Sequence, residues 1–178
     1  VSIDINFYPH QRRIIEGKIK RRGIQGGVGT GKTLTCMTKM ITHALKSPQP
    51  TQVAAVMRTA KESTTKLRSD ILDKWSDVIV NQSKELLVLK GGSKIHLLGG
   101  WDDEKGVDHL DGFNLSCFWM SQAERCPYQT IGKLRDRSRN KSAGEIVELI
   151  EGNPNGKDWT FDEYVKGVKE KKKIGIVG

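Results

Sequence analysis

Gly26-Gly27-Val28-Gly29-Thr30-Gly31-Lys32-Thr33 is a complete G-x-x-x-x-G-K-[ST] loop. Its glycines let the backbone turn tightly and aim several N–H groups at a polyphosphate. Lys32 brings a point charge to the β/γ-phosphates, and Thr33 offers a hydroxyl to Mg²⁺. The helix that begins where the loop ends adds the positive end of its dipole. A chance Gly-rich turn would not carry both end glycines, the Lys and the Thr ahead of an apolar-periodic helix. The chain is therefore expected to bind a nucleoside triphosphate, or to descend from one that did.

The elements around the loop alternate. Pro9 suits the first position of a short helix over residues 10–17, and residues 19–25 read as a strand feeding the loop. Residues 31–46 are helical, with Leu34, Met37, Ile41 and Leu45 at helical spacing and a stop at Ser47-Pro48. Residues 52–57 form a short apolar run typical of a buried parallel strand. A second helix covers residues 59–75, with Leu67, Ile71 and Trp75 on one face. Two alternating runs, 86–90 and 94–98, flank Gly91-Gly92 and predict a hairpin. Further on come a strand over 115–120, a helix over 127–134, a strand over 145–150 and a helix over 159–169. Strands interleaved with helices predict a three-layer α/β domain around a mainly parallel sheet. There are no internal repeats. The core is expected over about residues 1–160, with 161–178 the start of a connecting region.

Composition narrows the function. The 178 residues suit one domain, and 36% hydrophobic content without a long apolar run excludes a membrane-spanning helix. Val1-Ser2-Ile3 shows neither an initiator Met nor the start of a secretion signal, so a fragment is expected. Cys36, Cys117 and Cys126 lack metal-ligand spacing and read as buried thiols of a reducing compartment. The net charge of +9 is clustered: residues 1–46 hold nine Lys or Arg against two acids. Residues 125–141 hold six against Asp136, and 166–173 form a third basic run. Basic patches on a nucleotide-binding domain suggest nucleic acid as a second ligand, although the last run reads more simply as a solvated face.

The ordered set of motifs resembles one family, the ATPase domain of the large terminase subunit, the DNA-packaging motor of tailed bacteriophages. Phe7-Tyr8-Pro9-His10-Gln11 is similar to its adenine-recognising segment. Residues 53–61 look like a strand ending in an Arg that opens the next helix. Residues 92–96 resemble the family's hairpin, 112–124 its aromatic strand leading into an acidic Walker B motif, and Asn153-Pro154 with Trp159 its coupling segment. The resemblance implies a P-loop NTPase of the ASCE type that uses ATP and Mg²⁺. It implies that Gln11 reads adenine, that Gly26, Gly27, Val28, Gly29, Thr30, Gly31, Lys32 and Thr33 hold the phosphates, and that Thr33 and Ser121 face the metal. Glu124 and Gln122 would handle the attacking water, Arg58 would stabilise transferred charge, and Asn153 would sense the γ-phosphate. Expected partners are double-stranded DNA, sister subunits in a homo-oligomeric ring on a procapsid portal, and a small terminase subunit. No membrane contact is expected, and the setting would be the host cytoplasm during virus assembly. Nuclease activity is not expected of these residues.

Several positions depart from the family pattern. Ser121-Gln122-Ala123-Glu124 stands where terminases carry Asp-Glu-Ala-Glu or a close variant. Ser121 brings no charge, and Gln122 orients a water but cannot take its proton. Glu124 is the nearest carboxylate, either a base acting through a water or a helix-opening acid. Val28 occupies a position where many terminases have an Arg. That leaves Arg58 as the finger, in its own site or a neighbour's, unless it pairs with Glu62 one turn on. Glu151-Gly152 replaces the usual Thr residues before Asn153, which weakens the sensor assignment. Arg135, Arg137 and Arg139 alternate on an expected loop and suit DNA phosphates, a neighbour's nucleotide, or solvent. The acidic run Trp101-Asp102-Asp103-Glu104 reads as a solvated loop, His96 and His109 as structural, and Trp75, Trp119 and Trp159 as core. Two other functions stay open: a nucleotide-binding module with little or no hydrolysis, and a helicase-like ATPase, whose Asp-Glu box is also absent.

Overall fold

The computed structural model describes residues 6–99, 112–154, 156, 158–166 and 175–177. Its strands are β1 (Arg21–Gln25), β2 (Gln52–Val56), β3 (Ile79–Gln82), β4 (Leu86–Leu89), β5 (Lys94–Leu98), β6 (Cys117–Met120), β7 (Val147–Gly152) and β8 (Gly175–Val177). They form one sheet in the order β3-β4-β5-β2-β6-β7-β1-β8. The β3–β4 and β4–β5 pairs are antiparallel and every other pair is parallel. The helices are α1 (Pro9–Glu16), α2 (Lys32–Leu45) and α4 (Tyr128–Arg137). Between α2 and α4, α3 runs through Ala60–Glu62, a π-wound Ser63–Leu67 and Arg68–Trp75.

The central strands are short and apolar because both sheet faces are covered, as parallel sheets require. Successive side chains point to opposite faces. Thus Trp119 and Leu149 pack with Met37, Ile41 and Ile71 beneath α2 and α3. Their neighbours Phe118 and Ile150 pack with Ile131 and Leu134 of α4 and with Tyr164. This is the expected three-layer arrangement. Trp75 and Trp119 are buried in the first core and Trp159 packs against the second. All three cysteines are buried and none is in a disulfide.

The hairpin forms as expected, with Gly91 and Gly92 both at positive φ, 88° and 86°. Other boundaries differ. β3 is an edge strand of mostly exposed residues, which the sequence pattern does not predict. β7 runs two residues beyond the expected end, through Glu151 and Gly152. α4 continues to Arg137, so the expected arginine loop begins as helix. A π-wound turn, Phe161–Lys166, stands in place of the expected regular helix, and β8 lies within the expected connecting region. Residues 101–104 and His109 lie outside the described residues.

Candidate nucleotide-binding site

The loop of residues 26–31 joins β1 to α2 at the carboxyl ends of the strands, where open α/β sheets bind ligands. Gly31 closes it at φ 76°, and a Cβ there would stand 2.3 Å from Gln11 Nε2. The left-handed angle favours glycine, and a Cβ there would also have to displace the Gln11 amide. Lys32 Nζ donates to the carbonyls of Gly26 (2.8 Å) and Gly27 (2.7 Å) and to Asn153 Oδ1 (3.2 Å). One ammonium therefore ties the loop to the segment after β7. Val28 is 92% exposed at the loop's outer edge. The cleft beside the loop is lined by Val28, Lys32, Thr33, Lys66, Gln122 and Asn153, among others.

At the floor of this cleft lies Glu151, 3% exposed. Its Oε1 accepts from Ser121 Oγ at 2.5 Å and from Thr33 Oγ1 at 3.0 Å. Its Oε2 is buried and has no hydrogen-bond partner among the described residues. Burial pushes its pKa up, against the opposing effects of the Ser121 and Thr33 hydroxyls and the Lys32 charge. The sequence pattern presents Glu151 only as a loss from the coupling segment. In the structure it is a strand residue that brings together the two hydroxyls expected to face a metal.

Gln122 lines the cleft in a left-handed conformation, φ 52° and ψ 49°. It is the one non-glycine residue at positive φ among those described. Such a conformation costs about 1 kcal/mol or more and clusters at functional sites. Arg125 Nη1 donates to its Oε1 at 3.1 Å. Glu124 follows in the single turn Ala123–Arg125, and its Oε2 lies 2.5 Å from where a Cβ on Gly152 would be. That carboxylate therefore rests on the end of β7, beside the cleft.

Gln11 sits against the loop but is 4% exposed, and its Oε1 accepts from Tyr8 N–H (2.9 Å) in a capping box that starts α1. Only its NH₂ faces Gly31, so the expected adenine-reading amide has its acceptor engaged within the chain. Arg58 is exposed just past β2. Glu62, its alternative partner, closes a capping box with Thr59. The basic side chain that α3 does contribute to the cleft is Lys66, from the π-wound turn. Nothing in the Lys-rich sequence of α3 singles it out.

The three arginines assigned to nucleic acid separate. Arg135 lies on the last turn of α4, and its guanidinium forks onto Glu148 (Nε to Oε2 and Nη2 to Oε1, both 2.8 Å), which favours a structural role over a DNA contact. Nη2 also donates to Glu163 at 2.9 Å, and Tyr164 OH donates to Glu148. Burial alone would lower the Arg135 pKa, but the hydrogen bonds and charge of Glu148 outweigh it and hold it above its ordinary value. An arginine so committed is a structural clamp. Arg137 is half-buried and Arg139 exposed.

A strand, a Gly-rich loop and a helix at the sheet's carboxyl edge, with polar residues ending β6 and β7 beside them, define a P-loop nucleoside triphosphatase fold. The family model of the phage terminase large subunit matches residues 20–175, and the chain belongs to that family. Solved structures share the fold. The large terminase of a thermophilic bacteriophage, in complex with ATP-γ-S, superposes with a TM-score of 0.74 at 15% identity, covering 96% of this chain and 44% of that one. The ATPase domain of the Thermus phage P74-26 large terminase gives 0.68 at 16% identity, covering 92% and 71%. The HK97 bacteriophage large terminase gives 0.69 at 15%, covering 97% and 39%. The chain thus spans less than half the length of the first and third of these proteins. No curated protein sequence matches. Among the described residues no helix is long and apolar enough to cross a membrane.

Proposed function

We propose that this chain is the ATP-binding and ATP-hydrolysing motor domain of a DNA-packaging terminase, driving double-stranded DNA into a procapsid. The observation that carries this reading is the linked set of contacts at the strand ends. Lys32 bridges the phosphate loop to Asn153, and Thr33 is tied to Ser121 through Glu151. Family membership supports the packaging role. The large terminase of the thermophilic bacteriophage, solved with ADP and with ATP-γ-S, supports ATP as the nucleotide.

In this reading the backbone N–H groups of residues 26–31 hold the phosphates and Lys32 neutralises the β/γ pair. The oxygens of Thr33 and Ser121, converging on a buried carboxylate with one unpartnered oxygen, suit a hard cation such as Mg²⁺. When bound, Mg²⁺ would offset negative charge on the phosphates. Gln122 orients the attacking water, and Glu124 takes its proton through a second water. Arg58 stabilises the transferred charge, in its own site or a neighbour's. Asn153, in contact with Lys32, senses the γ-phosphate. Gln11 offers its NH₂ toward the adenine side, and Arg139 with Arg137 suits the DNA backbone. Sister subunits in a ring at a portal, a small terminase subunit and the host cytoplasm are the matching setting.

Single-turnover ATP hydrolysis with and without double-stranded DNA tests the proposal. The isolated domain should turn over slowly, since an arginine supplied by a neighbour is worth about 10³–10⁵ in rate. Bound ATP that stays intact with and without DNA would favour the alternative that Ser121 suggests, a binding module without hydrolysis.

A further inference from the structure

We propose that Glu151 supplies the metal-binding carboxylate of this site, so that the acid absent at Ser121 has moved one strand sideways, from the end of β6 to the end of β7. The proposal rests on the reading of the cleft as an Mg·ATP site and names the residue that completes it.

The sheet explains why the exchange works. β6 and β7 are parallel neighbours, with Trp119 opposite Leu149 and Met120 opposite Ile150. One step further, Ser121 stands level with Glu151. Side chains at matched positions of adjacent parallel strands point to the same face, about 4.8 Å apart. Glu151 shares its parity with Leu149, which packs under α2, so its carboxylate enters the layer where α2 begins with Lys32 and Thr33. Its longer side chain crosses the strand spacing and sets Oε1 2.5 Å from Ser121 Oγ. The carboxylate oxygen thus lies within hydrogen-bond distance of the side-chain position from which an acid on residue 121 would act.

Burial argues against a merely structural acid. A carboxylate that is 3% exposed is costly unless its oxygens are partnered. Oε1 has two hydroxyl donors, whereas Oε2 has no partner among the described residues and belongs to a residue lining the phosphate cleft. A divalent cation is the partner this geometry lacks. Mg²⁺ is commonly held by one or two carboxylates together with substrate phosphates, and a single buried carboxylate lining the phosphate cleft matches that pattern. Glu124 rests on the cleft-lining Gly152 without lining the cleft itself. Its Oε2 is likewise buried without a hydrogen-bond partner among the described residues, and its charge acts on Glu151. Glu151 alone, however, is joined to both Thr33 and Ser121.

The test is binding of the non-hydrolysable analogue AMP-PNP by calorimetry, in Mg²⁺ and in EDTA. Glu151→Gln keeps an oxygen that accepts from Thr33 and Ser121, so it should fold and retain metal-free binding. It should lose about 10–100-fold of the tightening that Mg²⁺ gives the parent. Ser121→Asp/Glu151→Ser, which returns the acid to β6, should recover most of that tightening. Unchanged Mg²⁺ dependence in Glu151→Gln would overturn the proposal. So would equal loss of binding with and without Mg²⁺, which marks a structural clamp. If Glu151→Gln does not fold, the double variant decides alone: a folded double variant without Mg²⁺ tightening refutes the exchange. A parent that fails to bind AMP-PNP under either condition would instead remove the nucleotide-site reading itself.

Discussion

Replacing Arg135 with Ala should destabilise the domain and leave the proposed duplex-DNA binding unchanged. The side chain is 21% exposed and its partner Glu148 only 4%. Truncation therefore leaves a buried carboxylate without its forked partner, a change that costs about 3–5 kcal/mol in buried pairs. Two neighbours soften the loss. Arg21 Nε lies 3.6 Å from Glu148 Oε2, and the Tyr164 hydroxyl still donates to Oε1. We therefore expect about 2–4 kcal/mol, shifted below that range by the two remaining partners. For a chain of this length this lowers the melting temperature by roughly 4–16 °C. Arg135→Lys keeps the charge but loses the fork, and should fall between the parent and Arg135→Ala. Glu148→Gln combined with Arg135→Ala should recover part of the loss, because the orphaned charge is then gone. Thermal unfolding followed by circular dichroism, alongside duplex-DNA binding at several salt concentrations, reads both arms. A variant that melts within about 2 °C of the parent while the salt dependence of DNA binding drops by one contact would refute the clamp.

Lys32→Ala should weaken nucleotide binding about 10–100-fold, the worth of a charge-assisted contact, as read by calorimetry. Arg139→Ala, with Arg137→Ala added, should lower the slope of log K against log[salt] for duplex DNA by roughly 0.9 per phosphate contact, leaving nucleotide affinity intact. Burial lowers the pKa values of His43 and His96 to about 4. Because both lie below the unfolded value near 6.5, the unfolded chain binds more protons between those limits, and stability should fall as pH drops from about 6.5 to about 4. Ring-proton NMR titrations with midpoints near 6.5 would contradict this. Ser121→Asp alone should lower the melting temperature, because it sets a second carboxylate against Glu151, and each pKa unit the pair is forced apart corresponds to about 1.4 kcal/mol.

Legibility followed the range over which each signal acts. The phosphate loop, the turn at Gly91-Gly92 and the apolar runs of β2 and β6 carry their meaning within a few residues, and all form where expected. β3 escapes a sequence reading because its stability comes from pairing along the hairpin edge, with mostly solvated side chains that show no buried face. The arginines of α4 mislead for a related reason. Alternating Arg and Asp looks solvated until Glu148 and Glu163, 13 and 28 residues further on, are folded against Arg135.

The same distance effect hides the most informative residue of the site. A charged residue before Gly-Asn-Pro reads as the start of a loop, since acids are rarely buried unless paired. Glu151 is a strand residue because β1 pairs with it opposite Ile24, and its buried carboxylate finds donors only in Ser121 and Thr33, 30 and 118 positions away. A motif scan assigns chemistry to a sequence position, whereas a parallel sheet assigns it to a level and a face. Positions 121 and 151 share both, so a loss at one is informative only when the other is read beside it. The two are also mutually limiting. Acids at both would repel at two buried positions, and in the proposed metal site hydroxyls at both would leave the cation without a protein carboxylate. Ser121 and Glu151 are one of the two arrangements that avoid both penalties, the other being the acid on β6.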